Sequence, residues 1–372
     1  MKYYIIAGEA SGDLHGSNLM KALKQQDAAA EFRVWGGDLM QAQGGTLVKH
    51  YRDLAFMGFV EVAKNIRTIL GNFKRCKSDV INFAPDVLIL IDYPGFNLRM
   101  AKWAKPKGIK VFYYISPQLW AWNSQRVHGI KKNIDQMFVI LPFEKKFYQQ
   151  YNYEVEFVGH PLLDVIEEKI PNPDFRRENG LSEKPIIALL PGSRQQEISR
   201  MLQEMLGVVH HFPKYQFVIA GAPSIPLDFY NNLSKNISGT AVKVISNKTY
   251  DLLQHSEAAL VTSGTATLEA ALFNVPEVVC YKGSFISYQI AKRLINVKYI
   301  ALVNLILDQE LVKELIQEAC HQQNLVTELK RILDQTNATK IKKGYALLRE
   351  KLGNAGASFR AGKKMYELLQ GD

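Results

Sequence analysis

Three loops carry residue types that can do chemistry at the end of an apolar run. In "LILIDYPGFN" the run ends on Asp92, and Pro94-Gly95 turn the chain away at once. A carboxylate held there, beside walls of low dielectric, can act as a general base on a hydroxyl. The plain alternative is an N-cap for the helix that follows. In "LLPGSRQQEISRML" the run breaks at Pro191-Gly192, and Ser193 with Gln196 has the form of a capping box. Exposed N–H groups at that helix start favour an anion, and Arg194 stands beside them with a planar fork suited to phosphate oxygens. In "LVTSGTATLEAAL" the small residues Ser263, Gly264, Thr265 and Ala266 let a ligand lie against the backbone, and Glu269 falls about one turn further in, where it can reach sugar hydroxyls. The two anion turns together describe a site for a diphosphate carrying a ribose.

A fourth loop, "AGEASGDLHG", places Gly8, Gly12 and Gly16 after the first apolar run. The spacing is neither G-x-G-x-x-G nor G-x-x-x-x-G-K-[ST], and no acidic residue ends "FRVWGG" to hold a ribose, so a nicotinamide enzyme is disfavoured. The loop offers close backbone approach and sets Glu9, Ser11, Asp13 and His15 near a ligand edge. In the bland reading Asp13 caps its own helix and His15 only packs. No paired carboxylates of the DxD type lie near either anion turn, so neither a metal nor a cofactor is expected.

The elements that must position these loops are short β-branched and aromatic runs, each followed by a stretch with helical spacing. One series is "YYIIAG", "DVLILID", "KVFYYIS", "QMFVILPF" and "EFVGHP"; a second is "IIALLPGS", "QFVIAGAP", "VKVIS", "AALVTSGT" and "EVVCYKG". Continuous apolar strands alternating with helices predict an α/β chain with parallel sheets covered on both faces. The charged, proline-bearing stretch "DVIEEKIPNPDFRRENGLSEKP" separates the series and reads as a connection. Two Rossmann-like domains with a cleft between them follow, over residues 1–163 and 164–345, with a helical segment at 346–372. After residue 305 the pattern reads as helical to the end.

Length and composition agree with two globular domains: 372 residues, 47% hydrophobic and 10% aromatic. The net charge is +10, and residues 1–160 hold 21 Lys and Arg against 14 Asp and Glu, so most of the excess points to an anionic partner for the first half. Cys76, Cys280 and Cys320 are scattered, form no zinc pattern and fit a reducing cytoplasm. No run is long enough for a signal peptide or a spanning helix, so the chain is expected neither to cross a membrane nor to leave the cell by that route. The basic residues are not interleaved with aromatic platforms, which argues against nucleic acid. One segment, residues 53–77, has helical spacing that an ordinary core-facing helix would explain. Its stretch "LAFMGFV", with Phe56, Met57, Phe59 and Val60, is apolar all round and is followed by Lys74, Arg75 and Lys77. That combination suits a segment meeting an anionic membrane surface or acyl chains.

The motifs "AGEASGD", "FMGFVEV", "IDYPGFN", "YYISPQLWAW", "LPFEKKFY", "FVGHP", "LLPGSR", "SGTATLEAAL" and "NLILDQELVKELIQE" occur in an order that resembles the lipid-A-disaccharide synthase family along essentially the whole chain. The resemblance implies a GT-B-like architecture, two Rossmann-like domains with parallel sheets facing across a cleft. It implies UDP-2,3-diacylglucosamine as donor and 2,3-diacylglucosamine 1-phosphate (lipid X) as acceptor, giving the β-1,6-linked lipid A disaccharide 1-phosphate and UDP. Carried onto matching positions, Asp92 is the candidate base, while Arg194, Glu269 and Asn304 fall at positions associated with donor binding or catalysis. The resemblance also implies a peripheral enzyme on the cytoplasmic face of the bacterial inner membrane and a homodimer that exchanges C-terminal segments. Three rivals are weighed beside it. Another UDP-sugar transferase would share the fold and donor site but lack "AGEASGD" and "FMGFVEV", and a UDP-sugar epimerase would need no lipid. A non-catalytic binder would release no UDP.

Overall fold

The structure is a computed structural model that describes all residues except 55–65, 123, 236–241, 284–297 and 372. Phe56, Met57, Phe59 and Val60 lie outside the described residues. The chain divides into two compact units, residues 1–164 with 354–372, and residues 165–353.

The first unit is built on a seven-stranded parallel sheet in the order β3-β2-β1-β4-β5-β6-β7. Its strands are β1 (Lys2–Ala7), β2 (Glu31–Gly36), β3 (Thr46–His50), β4 (Val87–Ile91), β5 (Lys110–Tyr114), β6 (Gln136–Val139) and β7 (Glu156–Phe157). All five residues of β4 are buried, as a strand covered on both faces requires, and each such aliphatic side chain contributes roughly 1.5–3 kcal/mol. Helix α1 (Ala10–Gln26) follows β1, and the one-turn helix α2 (Asp38–Ala42) follows β2. Helix α3 (Ile66–Phe83) buries Phe73, Cys76 and Val80, with Ile69 and Phe83 packed beside them. Leu70 is 58% exposed, because the inward stripe runs through Ile69 instead.

The second unit holds a six-stranded parallel sheet in the order β10-β9-β8-β11-β12-β13. Its strands are β8 (Ile186–Leu190), β9 (Gln216–Gly221), β10 (Lys243–Ser246), β11 (Ser256–Thr262), β12 (Glu277–Tyr281) and β13 (Lys313–Ile316). Strand β13 corrects the expectation of helix alone after residue 305. Its sequence "KELI" carries two charges and no β-branched residue before the last, and among the described residues it pairs, as an edge strand, only with β12.

The chain returns to the first unit at its end. Helix α9 (Gln335–Leu352) belongs to the second unit, so the boundary expected at 345/346 falls inside a helix. Helix α10 (Ala357–Gln370) lies on α1: a Cβ added at Gly362 would stand 2.9 Å from that of Ala22. Its start is held by Asp164, whose carboxylate accepts from the amides of Gly356 (2.6 Å), Ala357 (3.0 Å) and Ser358 (2.9 Å).

Candidate active site

Parallel sheets bind ligands beyond the carboxyl ends of their strands, at the point where the strand order reverses. In the first sheet that point lies between β1 and β4, whose ends lead to Gly8-Glu9 and to Asp92. In the second it lies between β8 and β11, whose ends lead to the Pro191–Arg194 turn and to Ser263-Gly264. The loops singled out by residue type thus stand at the two switch points.

Around Asp92 the backbone is unusual. Asp92 and Tyr93 both take left-handed conformations (φ 44° and 49°), each costing energy for a non-glycine residue. The bend is pinned from below: the Asp92 carbonyl accepts from Tyr113 Oη (2.5 Å) and Asn97 Nδ2 (2.8 Å), and Asn97 also reaches the carbonyls of Ile91 and Ile6. The N-cap of helix α4 (Pro94–Ala104) is Tyr93, so the capping alternative for Asp92 does not hold. Asp92 instead lines a small depression with Gly8, Glu9, Ser11, Gly12, Ile91 and Tyr93. Burial first, then the nearby charge of Glu9, pushes its pKa up to about 6 against the Tyr93 amide, which favours the ionised form. The Tyr93 ring rests over Gly8, where an added Cβ would be 2.3 Å from Tyr93 Cγ. Only glycine leaves room for that packing.

Two neighbours of this loop have other work. Asp13 does not cap its own helix, whose N-cap is Glu9. Its buried carboxylate accepts from Gly37 (2.7 Å), Leu39 (3.1 Å) and Met40 (3.1 Å) amides, tying α1 to the start of α2. His15 is buried, with its pKa lowered to about 4 by burial despite the charge of Asp164, so it stays neutral and packs.

In the second unit, helix α6 (Gln195–Leu206) has Arg194, not Ser193, as its N-cap, and that side chain does not cap. The expected capping box of Ser193 and Gln196 is therefore corrected: the side chain that reaches back is Glu197. Its carboxylate accepts from Ser193 N (3.2 Å) and interacts with the Arg194 amide, while burial raises its pKa. It lies across Gly192 so closely that an added Cβ would come within 2.2 Å of Oε2, and Gly192 has φ 115°. Ser193, Arg194, Gln195 and Gln196 are exposed around this helix start. Across the sheet, Gly264 is the N-cap of helix α7 (Thr265–Leu272), and Ser263 Oγ donates to the Ile300 carbonyl at 3.1 Å. Glu269 sits one turn inside, with Tyr250 Oη donating to it at 3.3 Å and burial pushing its pKa up to about 7.

Asn304, on helix α8 (Leu302–Leu307), is fully buried. Its Nδ2 donates to the Val312 carbonyl (2.8 Å) and Glu314 Oε1 (2.9 Å), and its Oδ1 accepts from the amides of Leu311 (2.9 Å) and Val312 (3.0 Å). The amide has no donor or acceptor left over, so a catalytic contact from Asn304 itself meets no available atom. What it does is hold the start of β13, while Glu314 accepts from the amides of Ile300 and Ala301.

Tyr113, Asn97, Glu197 and Tyr250 join the site without having been singled out as chemistry. Tyr113, Asn97 and Glu197 stood in quoted stretches, and for the last two the spacing of five from Asp92 and three from Arg194 was the signal. Among the described residues no three His, Cys, Asp or Glu side chains are grouped to hold a metal ion.

A family model described as Lipid-A-disaccharide synthetase matches residues 3–364. A lipid-A-disaccharide synthase of Syntrophus aciditrophicus (strain SB) is 40% identical over 372 residues, covering 98% of this chain and 97% of that one. One from Trichlorobacter lovleyi is 40% identical over 374 residues with the same coverage. Among solved structures, the S. aureus MnaA-UDP complex superposes with a TM-score of 0.71 at 13% identity, covering 99% of this chain and 97% of that one. A UDP-GlcNAc 2-epimerase from Neisseria meningitidis bound to UDP-GlcNAc gives 0.68 at 14% identity, with full coverage of both. The calicheamicin glycosyltransferase CalG4 gives 0.60 at 13%, covering 100% and 98%. At such identities these structures share the GT-B fold with this chain.

Proposed function

We propose a mechanism for this chain, which belongs to the lipid-A-disaccharide synthase family: Asp92 serves the acceptor, and the two turns of the second unit hold the donor. The chain is a glycosyltransferase that condenses UDP-2,3-diacylglucosamine with lipid X. The observation that carries the mechanistic reading is the carboxylate of Asp92, held on a strained bend at the switch point of the first sheet and left uncommitted to capping.

In this reading Asp92 takes the proton of the acceptor 6-hydroxyl as that oxygen attacks the anomeric carbon opposite the departing UDP. An α-linked donor then gives a β-linked product. Negative charge grows on the diphosphate as the bond breaks, and fixed donors aimed at it lower the barrier. Glu197 already uses the amides of Ser193 and Arg194, so the first-turn amides of α6 beyond them, with the Arg194 guanidinium, are assigned to the diphosphate. The open turn at Ser263, Gly264 and Thr265 is assigned to the nucleotide's remaining contacts, with Glu269 on the ribose. Incubation with UDP-2,3-diacylglucosamine and lipid X should yield one mole of disaccharide 1-phosphate per mole of UDP, read by mass spectrometry. UDP release without consumption of lipid X would remove the reading.

The first unit is also proposed to meet an anionic membrane surface through α3. Among the described residues no helix is long and apolar enough to cross a membrane. Helix α3 exposes Leu70 (58%) and Ile81 (55%) beside the exposed Lys74 and Arg75. Lys77 and Lys107 both lie over the Trp103 ring, at 5.7 and 5.6 Å, which sets two cations against one indole. Changing Lys74, Arg75 and Lys77 together to Gln should weaken sedimentation with vesicles containing phosphatidylglycerol, at about 1 kcal/mol per cation near the surface. Full retention on those vesicles would count against it.

A further inference from the structure

Apart from Tyr113, the stretches "YYISPQLWAW" and "LPFEKKFY" take no part in the mechanism above, and they meet in the first unit. Strand β5 lies beside β4 with Tyr114 opposite Ile91, and the Asp92 amide donates to the Tyr114 carbonyl at 3.1 Å. Ile115 is therefore the neighbour of Asp92 along the ligand edge. It has φ 66°, an outlier for a β-branched residue, so three strained residues from two adjacent strands share one edge. Such strain persists only where the surroundings over-determine it.

Tyr113 and Asn97 hold the Asp92 bend, the Ile115 amide donates to the Phe138 carbonyl at 3.0 Å, and one face of helix α5 (Pro142–Gln149) holds the loop that follows Ile115. Ser116 Oγ lies 2.6 Å from Tyr148 Oη, and both side chains are buried. The Trp120 ring stands edge-on to Phe143 at 4.9 Å. Between them is Glu144, 1% exposed, whose carboxylate accepts from the amides of Leu141 (2.9 Å) and Ile140 (3.2 Å). Burial pushes its pKa up to about 7, opposed by those amides, by Ser116 and by Trp120. The Trp120 Nε1 is itself buried and makes no hydrogen bond of ordinary geometry, while Trp120 is among the groups that favour the ionised form of Glu144. Burying a carboxylate is costly, and a helix start that needed only a cap would be served by an exposed one.

We propose that α5 is a clamp in which Glu144 and Tyr148 hold the 115–120 loop as one wall of the acceptor subsite beside Asp92. The loop's chemistry suits an acylated sugar. Ile115 and Trp120 are half-buried and offer apolar surface, and Gln118 is exposed and offers an amide for hydroxyls. Glu144, Tyr148 and Ser116 are positioning residues in this scheme, and it rests on the assignment of Asp92 to the acceptor.

The test is steady-state kinetics on the full chain carrying Tyr148→Phe, Ser116→Ala or Glu144→Gln, with a thermal melt of each. Removing either hydroxyl of the Ser116–Tyr148 pair should raise the KM for lipid X about fivefold, the equivalent of roughly one buried hydrogen bond. Glu144→Gln should raise it further, while the KM for UDP-diacylglucosamine stays unchanged. Folded Tyr148→Phe and Ser116→Ala proteins with an unmoved lipid X KM, or with both KM values rising in step, would overturn the clamp. Retained turnover in Asp92→Asn would overturn the acceptor assignment and the clamp with it; an inactive Asp92→Asn beside unmoved clamp variants would overturn the clamp alone.

Discussion

Asp92→Asn is expected to lower kcat by roughly 100- to 10,000-fold, the usual contribution of a positioned general base, and to leave the Kd for UDP unchanged. The amide is nearly isosteric, and the carbonyl bonds from Tyr113 and Asn97 that shape the bend are main-chain contacts the substitution does not touch. What is lost is the ability to take a proton. The pH dependence gives the same result a second signature. A base works only when ionised, and burial with the Glu9 charge sets the Asp92 pKa at about 6. The kcat/KM of the unaltered chain should therefore fall as pH drops through that value and level off above it. Asp92→Asn should flatten this limb at its residual rate. Full turnover in the variant, or an acid limb that survives in it, would remove Asp92 as the base.

Arg194→Ala should lower kcat by roughly 100-fold or more, the cost of removing one donor from developing oxyanion charge. Arg194 is the N-cap of α6, and its side chain contributes no cap, so truncation takes the guanidinium without taking a helix-capping bond. The Glu197 carboxylate on the neighbouring amides enlarges the effect: with the guanidinium gone, a negative group stands 3.2 Å from Ser193 N with less positive charge to balance it. Arg194→Lys should recover only part of the rate, since an ammonium cannot reproduce a two-pronged contact. Rates within threefold of the unaltered chain, by single turnover, would remove Arg194 from the donor site.

Both switch points were legible because strands buried on two faces read as unbroken apolar runs, so their last residue is marked by the first polar one. Asp92 after "LILI" and Pro191-Gly192 after "IIALL" are of this kind. Strand β13 was not legible, since an edge strand buries little and "KELI" fits a helix as well as it fits a strand. Local rules also misplaced capping. Asp13 lies in the first turn of α1, yet its partners are the amides of Gly37 to Met40, which only the fold brings near. Ser193 and Gln196 matched a pattern by spacing, but the carboxylate of Glu197 is the stronger acceptor and took the amides. For Asn304 the resemblance supplied a position, and the structure supplies its engagement with the 311–314 backbone, which no pattern of residue types encodes.

The return of the chain to its starting unit has a consequence for synthesis. Asp164 leaves the first unit with its carboxylate aimed at amides of residues 356–358, which emerge from the ribosome nearly two hundred residues later. The second unit is continuous in sequence and can close as soon as it is made, whereas the first must wait with one face of α1 uncovered. The unit that begins first is thus completed last, and the nascent chain carries that face of α1 uncovered until residues 354–370 have been made.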